Sequence, residues 1–216
     1  MMKKNGFTLA EVLITLAIIG VVATLTLPSL LTNTAEQQSM TAFKKIMNTL
    51  NEAGQMNAAL EGFDYYVADK GTVDDSVANG DQTLSALINE RLQVTKQASV
   101  GYGASGKCTG NPTFVLRDGT AICVGGATAP TAKKPFWTIY VDTNGPKGPN
   151  QVSSCKEEGC TTKAQKLIKD QYVVTLYQGI AVPGAWTGVQ AEENKAASYA
   201  SRYAMGIAKR KSASGS

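Results

Sequence analysis

Histidine is absent from this chain of 216 residues. Its absence removes the side chain that most often acts as a general base and that most often binds metals. The sequence also lacks a Gly-x-Ser-x-Gly turn and a phosphate-binding loop that ends in Gly-Lys-Ser or Gly-Lys-Thr. We therefore expect a protein that is not an enzyme and that binds no nucleotide.

Charge is scarce near the N-terminus. From Phe7 to Leu31 the only charged residue is Glu11, and Lys3 and Lys4 precede this run. A helix of this length reaches roughly 37 Å, whereas the hydrocarbon core of a bilayer is about 30 Å thick. The run is also longer than the apolar core of a secretory signal peptide, which has about 7–15 residues. We predict one membrane span, with the N-terminus held in the cytoplasm and the rest of the chain outside.

Glu11 has several simple explanations. Its carboxylate could lie at the membrane interface, it could interact with the helix macrodipole, or the segment could be an ordinary signal anchor. A carboxylate within a membrane-length helix is costly, however, and such acids usually have a partner and a function.

The residues around Glu11 favour a functional reading. Residues 3–14 read Lys-Lys-Asn-Gly-Phe-Thr-Leu-Ala-Glu-Val-Leu-Ile. This stretch resembles the processing signal of type IV pilins and type II secretion pseudopilins. The resemblance implies that a prepilin peptidase cuts between Gly6 and Phe7 and methylates the new amine of Phe7. It also implies that Glu11 is the acid used in assembly and that Pro28 is the family's helix proline.

The resemblance implies a structural subunit of a type IV pilus-like or type II secretion filament. Its partners would be copies of itself, other pilins, the prepilin peptidase, the membrane and an inner-membrane assembly platform with a cytoplasmic ATPase. It would first cross the cytoplasmic membrane once and then enter a filament outside the cytoplasm. Tip subunits of this family often lack the acid, so Glu11 favours a subunit with others stacked around it.

Two other functions remain open. The chain could be a membrane-anchored module that binds a ligand outside the cytoplasm and never polymerises. It could also be a DNA-uptake pilin, with the basic residues Lys209, Arg210 and Lys211 near the C-terminus as a DNA contact. Three basic residues are common in solvated tails, and no dense basic run occurs elsewhere, so nucleic acid is not the expected partner.

The sequence divides into segments that differ in composition and in the periodicity of their apolar residues. We predict a leader at 1–6, a transmembrane or filament-core helix at 7–31, an amphipathic continuation at 32–61, a globular pilin-like domain at 62–208 and a disordered basic tail at 209–216. Met40, Phe43, Met47 and Leu50 recur at helical spacing in the continuation, and Ala53, Met56 and Leu60 extend the stripe more loosely.

Two residues bear on the bounds of the long helix. Gly62 is a suitable helix end. Pro28 removes one backbone hydrogen bond, so it should kink one long helix or separate two helices.

The domain has the pattern of an α+β fold, with the long helix packed on a small antiparallel sheet. Asp118-Gly119 separates two apolar runs and predicts a hairpin. The connections between strands are too short for repeated parallel crossovers. The predicted strands are 113–117, 120–124, 136–142 and 172–178; the predicted helices are 82–94 and 191–207; the predicted loops are 71–81 and 101–112.

The cysteines Cys108, Cys123, Cys155 and Cys160 all lie in the C-terminal half. An even number of cysteines after an N-terminal membrane signal favours disulfides outside the cytoplasm. We favour the sequence-local pairs, Cys108 with Cys123 and Cys155 with Cys160; reduced buried thiols are the alternative. Zinc is disfavoured because no Cys-x-x-Cys spacing and no histidine is present.

A glycine-rich segment after the third predicted strand contains the oxygen-bearing residues Asp142, Asn144 and Asn150. The surrounding stretch, 139–150, resembles a segment of many pseudopilin-like proteins, some of which bind calcium in a loop of this domain. Calcium takes about six to eight oxygen ligands, and this segment supplies only part of such a set. The alternative is that Asn144-Gly145 forms a tight turn capped by Asp142. We expect no cofactor and keep calcium as the exception to test.

Overall fold

The structure is a computed structural model that describes residues 6–65, 84–98, 113–124, 136–145, 147–148, 150–155, 166–167, 169–185 and 192–207. The chain forms two compact units, Met1–Gln38 and Ser39–Ser216. The first helix, α1 (Leu9–Leu60), contributes residues to both units.

In the first unit, α1 begins after three non-helical residues, 6–8. The segment Leu9–Leu27 is long and apolar enough to cross a membrane, and none of its residues is buried. Pro28 lies inside α1, which extends across it as one helix. The kink predicted at this residue stays a prediction.

In its described residues, the second unit contains the rest of α1, two shorter helices and eight strands. In chain order these are α2 (Leu84–Arg91), β1 (Val94–Ala98), β2 (Thr113–Leu116), β3 (Ala121–Val124), β4 (Trp137–Asp142), β5 (Ser154–Cys155), β6 (Lys166–Leu167), β7 (Gln171–Tyr177), β8 (Ile180–Pro183) and α3 (Glu192–Ala204).

Six of these strands form one sheet in the order β1-β2-β3-β4-β7-β8, and β5 pairs with β6 in a second, two-stranded sheet. Every pair of neighbouring strands is antiparallel. The predicted α+β arrangement, a long N-terminal helix packed on an antiparallel sheet, is therefore confirmed.

The core lies between α1 and one face of the sheet. Phe43 and Leu50 of α1 are fully buried, and the ring of Phe43 stacks on that of Tyr172 with their centroids 4.2 Å apart. Polar ends of buried aromatic residues find backbone partners: Trp137 Nε1 donates to Tyr65 O at 3.0 Å and Tyr65 Oη donates to Leu50 O at 2.7 Å. The aromatic anchors thus pack without leaving a buried donor unpaired.

The predicted hairpin is confirmed between β2 and β3. Phe114 pairs with Ile122, and Gly119 takes the positive φ of 89° that a three-residue hairpin loop needs. The Asp118 carboxylate accepts a hydrogen bond from Thr120 N at 3.0 Å, which closes the turn. The helix predicted at 82–94 ends earlier in the structure, at Arg91 of α2, and Val94 already belongs to β1; residues 82–83 lie outside the described residues.

Two apolar residues assigned to the buried stripe of α1 were placed wrongly. Met56 and Leu60 are 53% and 65% exposed. The buried position at this level of the helix is taken by Asn57 instead, whose Nδ2 donates to Phe63 O at 2.9 Å. Because the Asn57 amide donates to a backbone carbonyl just beyond the helix, this polar side chain can be buried at little cost. The spacing of apolar residues in the sequence does not predict this.

Both described cysteines, Cys123 and Cys155, are buried and disulfide-bonded. Cys108 and Cys160 lie outside the described residues, as do the predicted loops at 71–81 and 101–112 and the basic tail at 209–216. The pairing of the four cysteines stays a prediction.

Candidate functional site

The start of α1 is built by two side chains that hydrogen-bond to each other's backbone. Glu11 Oε2 accepts hydrogen bonds from Thr8 N at 2.8 Å and from Thr8 Oγ1 at 2.7 Å. In return, Thr8 Oγ1 accepts one from Glu11 N at 3.3 Å. Thr8 and Glu11 therefore form a capping box, which satisfies backbone donors that the first turn of a helix leaves unpaired.

The capping box leaves part of the Glu11 carboxylate available. Both hydrogen bonds that it accepts fall on one oxygen, Oε2. Among the described residues, Oε1 keeps its lone pairs for another donor, and Glu11 is exposed. The arrangement fixes the direction of the carboxylate and still allows it to accept a cationic amine from another molecule.

The hydroxyl groups in the apolar segment are all satisfied inside the helix. Thr15 Oγ1 donates to Val12 O, and Thr24 Oγ1 donates to Val21 O, both at 2.9 Å. Thr26 Oγ1 donates in the same way at 3.0 Å to the carbonyl four residues earlier. Such internal bonds let threonine lie in hydrocarbon at low cost. With the threonine hydroxyl groups bonded in this way, the side chain of this segment that still needs a partner is Glu11, the one charged residue of Leu9–Leu27.

The bond predicted for cleavage joins two exposed residues that precede the helix. Gly6 and Phe7 are non-helical, and Phe7 is 89% exposed. A Cβ added to Gly6 would meet no atom within 4 Å, and its φ is not in the left-handed region. Nothing among the described residues therefore requires glycine at this position, so a requirement for it would come from a molecule that recognises the segment.

The comparison with known families points to the same residues. Residues 1–27 match the family described as the prokaryotic N-terminal methylation motif. This N-terminus is a type IV pilin or pseudopilin prepilin signal. No curated protein matches the chain, and no solved structure does.

The prepilin signal and the exposed apolar helix fit membrane anchoring followed by a place in a filament. They indicate a structural protein, and they suggest association with other pilins and processing by a prepilin peptidase. The match covers only the N-terminal 27 residues, so the domain has to be interpreted from its own contacts.

Sequence reasoning missed one residue of this site, Thr8. The signal was present as Thr8-x-x-Glu11 immediately before an apolar run, which is the pattern of a capping box. Glu11 was interpreted through its charge alone. The structure adds that the same acid begins the helix, so Thr8 and Glu11 act together.

The structure brings together the three residues proposed as calcium ligands. Asn144 N donates to Asp142 Oδ1 at 3.2 Å. Asn150, with its amide turned so that nitrogen faces the neighbouring acceptors, donates to Asp142 Oδ2 at 3.2 Å and to Gly145 O at 2.8 Å. Gln171 Nε2 also donates to Asp142 Oδ2 at 2.8 Å. The Asp142 carboxylate is therefore surrounded by N–H groups of its own chain.

A second acid closes the same loop. Asp170 accepts hydrogen bonds from Asn150 N at 2.7 Å and from Gln151 N at 2.8 Å, one on each carboxylate oxygen. Burial raises the pKa of Asp142 to about 6, and the nearby charge of Asp170 adds to this effect, against the opposing hydrogen bond from Gln171. The arrangement is that of a capped turn.

Two features of this loop bear on whether it could hold a cation. Asn144 Oδ1 is buried and has no hydrogen-bond partner among the described residues, as a ligand oxygen would. The oxygens of Asp142 and Asp170, however, already accept N–H donors. Among the described residues, no group of three acidic, cysteine or histidine residues is placed to hold a metal ion. The geometry favours the turn, and the calcium hypothesis stays a proposal for experiment.

Proposed function

We propose that this chain is a structural subunit of a type IV pilus-like or type II secretion filament. It is made as a precursor, cut between Gly6 and Phe7, methylated at Phe7 and assembled through Glu11. The observation that carries the proposal is the prepilin signal at residues 1–27, attached to a helix with no buried residue over Leu9–Leu27.

The chemistry of assembly follows from the charges. Cleavage before Phe7 creates a cationic amine at the head of an apolar helix, one residue before the capping box of Thr8 and Glu11. A charge alone in lipid costs several kcal/mol, and pairing with an opposite charge offsets much of this cost. Glu11 of one subunit, with Oε1 available, can accept that amine from the next subunit. Since the pair forms in one axial stagger only, it would set the register between subunits.

The energy for assembly would come from a cytoplasmic ATPase acting through an inner-membrane platform. The helices of several copies would cover one another's apolar surfaces, because Val21, Leu25 and their neighbours are exposed in the part of the chain that the structure describes. The domain would face outward, with its disulfide-bonded cysteines bracing loops outside the cytoplasm.

The N-terminus of the native protein tests processing directly. We expect mass spectrometry of protein from its host membrane to show a chain that begins at methylated Phe7. A Gly6→Val variant should keep the leader, since the fold does not need glycine there but the peptidase does. An intact Met1 in the native protein would contradict the proposal and favour a plain membrane anchor.

A variant of the acid tests assembly separately from processing. We expect Glu11→Ala to be cleaved and methylated normally but to give few or no filaments in sheared fractions. Glu52→Ala is the matched control, because Glu52 is an exposed acid of the same helix outside the apolar segment. Normal filament yield from Glu11→Ala would contradict the role assigned to this acid, and so would an equal loss in both variants.

A further inference from the structure

β8 is the last strand of the six-stranded sheet, so one of its sides has no strand beside it. Gly184 N, directly after β8, donates to Val173 O of β7 at 2.9 Å, which shows that Gly184 faces β7. Successive residues of a strand point their backbone groups to opposite sides. Ala181, Pro183 and Ala185 therefore face away from β7, and we call these three positions the outer edge of β8.

Each position of the outer edge lacks a free N–H group. Ala181 N donates to Asn51 Oδ1 of α1 at 2.7 Å. Pro183 has no N–H group to donate. Ala185 N donates to Ser198 Oγ of α3 at 2.9 Å. Side chains of two helices and one proline thus account for every N–H position of this edge within the described residues.

A third side chain occupies the donor at which the β7–β8 ladder stops. Val173 N donates to Ser201 Oγ of α3 at 3.2 Å. Ser198 and Ser201 are 4% and 0% exposed, and Ala197 and Ala204 of the same helix are also buried. A hydroxyl on a buried helix face is costly unless it is hydrogen-bonded. Both serines are placed where they accept backbone N–H groups of the sheet.

We propose that Asn51, Pro183 and Ser198 close the outer edge of β8 against pairing with a strand of a second copy of this chain. An open edge offers a row of N–H and C=O groups that another chain can extend, and proteins block such edges with proline or with covering elements. A strand that added here would receive no N–H group from these positions and would lose about half of its ladder bonds.

A second copy is the relevant partner because the filament would hold many copies side by side. In this respect the inference rests on the proposed function, and it adds which part of the chain the copies do not use. With the outer edge closed, association is left to other surfaces, such as the exposed apolar residues of Leu9–Leu27.

Hydrogen exchange of the full chain in detergent micelles, at low and at high protein concentration, tests the proposal. In the wild-type chain the Ala181 amide should be protected equally at both concentrations. The opened-edge variant combines Asn51→Ala with Pro183→Ala. At low concentration its Ala181 amide should exchange about fivefold faster than in the wild type, because the hydrogen bond is lost.

The effect of concentration on the opened-edge variant is the decisive measurement. At high concentration, exchange at Ala181 and at the new amide of position 183 should slow several-fold, because another copy now accepts these N–H groups. Association through the helices of Leu9–Leu27 would not protect these two amides. The measurement therefore distinguishes pairing of sheets from contact between helices.

Matched variants separate the cap from other effects of substitution. Asn51→Asp keeps an oxygen acceptor at the same position and should behave as the wild type. Asn48→Ala removes an exposed asparagine of the same helix and should also change nothing. The amides of β4, inside the sheet, report whether the domain is folded. If they lose protection in the opened-edge variant, Pro183→Ala alone replaces it, since the bond from Ala181 to Asn51 is then kept and position 183 still gains a donor.

Two results would overturn the proposal. Fast exchange at the opened positions at both concentrations would show that the edge does not pair even without its caps. Equal exchange of Ala181 in the wild type and in the opened-edge variant would show that Asn51 does not hold the edge. Neither result bears on cleavage before Phe7 or on the role of Glu11, so failure of this proposal is distinct from failure of the proposed function.

Discussion

The two parts of α1 are both rich in apolar residues, yet among the described residues only the second part is buried against other elements. No residue of Leu9–Leu27 is buried, whereas Phe43, Met47 and Leu50 are at most 1% exposed. In the first part the apolar residues occupy every face of the helix, so a single packing surface cannot cover them. In the second part they form one stripe, and polar residues such as Lys44 and Lys45 take the other faces. The distribution of apolar residues around the helix, more than their number, determines whether the partner is a sheet or a membrane and its neighbouring helices.

Removing a large side chain from each part should break the comparison most sharply. Phe43→Ala should lower the free energy of unfolding of the domain by about 3–5 kcal/mol, because it deletes a fully buried ring that stacks on Tyr172. Ile19→Ala, at a residue 62% exposed, should change it by less than about 0.5 kcal/mol. Chemical denaturation of the full chain in detergent, followed by tryptophan fluorescence, measures both. Similar losses from the two variants would show that the first part is covered by the domain.

The second prediction concerns pH and is confined to the domain. Burial raises the folded-state pKa of Asp142 to about 6 from an ordinary value of 3.8, so the folded state binds the proton more tightly than the unfolded state. The stability contributed by this group is fully present below pH 4 and is lost as pH rises through 6, by roughly 2–3 kcal/mol. Asp142→Asn should remove this part of the slope in denaturation measured between pH 4 and pH 8.

A second acid provides a control of opposite sign. Burial of Asp118 raises its pKa, but the hydrogen bonds from Lys45 and Thr120 outweigh this effect and leave it lowered. Its contribution to stability is therefore lost as pH falls, and Asp118→Asn should leave the loss of stability through pH 6 unchanged.

Calcium added at pH 8 should not shift the melting temperature, because the oxygens of Asp142 and Asp170 already accept N–H donors. A clear upward shift that Asp142→Asn abolishes would establish a calcium site.

Glycine provides a third contrast between the two parts of α1. A Cβ on Gly54 would lie 2.6 Å from a ring carbon of Tyr65 and 2.7 Å from Gly179 O, whereas a Cβ on Gly20 would meet nothing within 4 Å. Gly54→Ala should therefore destabilise the domain by about 1–3 kcal/mol. Gly20→Ala should leave the domain unchanged and slightly favour the helix. The same denaturation assay distinguishes them, and equal stability of the two variants would show that α1 can move away from the β7–β8 turn at little cost.

The smallest expected effect lies at the start of the helix. Thr8→Val removes the hydroxyl of the capping box and should weaken the first turn by about 1 kcal/mol. Thr15→Val is the matched control, because the Thr15 hydroxyl bonds only back to its own helix. Amide exchange at residues 8–11 in detergent should quicken in the first variant alone. Unchanged exchange in Thr8→Val would mean that Glu11 holds its position without the cap.

Local patterns predicted much of the fold because short-range chemistry controls it. The stripe of Phe43, Met47 and Leu50, the turn at Asp118-Gly119 and the strands β4 and β7 were all visible in the sequence. The edge strands β1 and β8 and the β5–β6 pair were missed. β8 is only four residues long, contains Pro183 and depends on a distant side chain, since Ala181 N donates to Asn51 Oδ1 at 2.7 Å. A strand that short gives little periodic signal.

The sequence by itself determined the prepilin signal, because a processing site is read from a short, contiguous peptide by spacing alone. It also determined that Leu9–Leu27 must find an apolar environment, since no face of that helix is polar enough for water. Only the tertiary structure decided what Thr8 does, why Asn57 replaces an apolar residue in the core, and that Lys45 of α1 pairs with Asp118 of the β2–β3 turn. These features join residues through hydrogen bonds and close packing between distant segments, and such contacts leave no periodic trace in the chain.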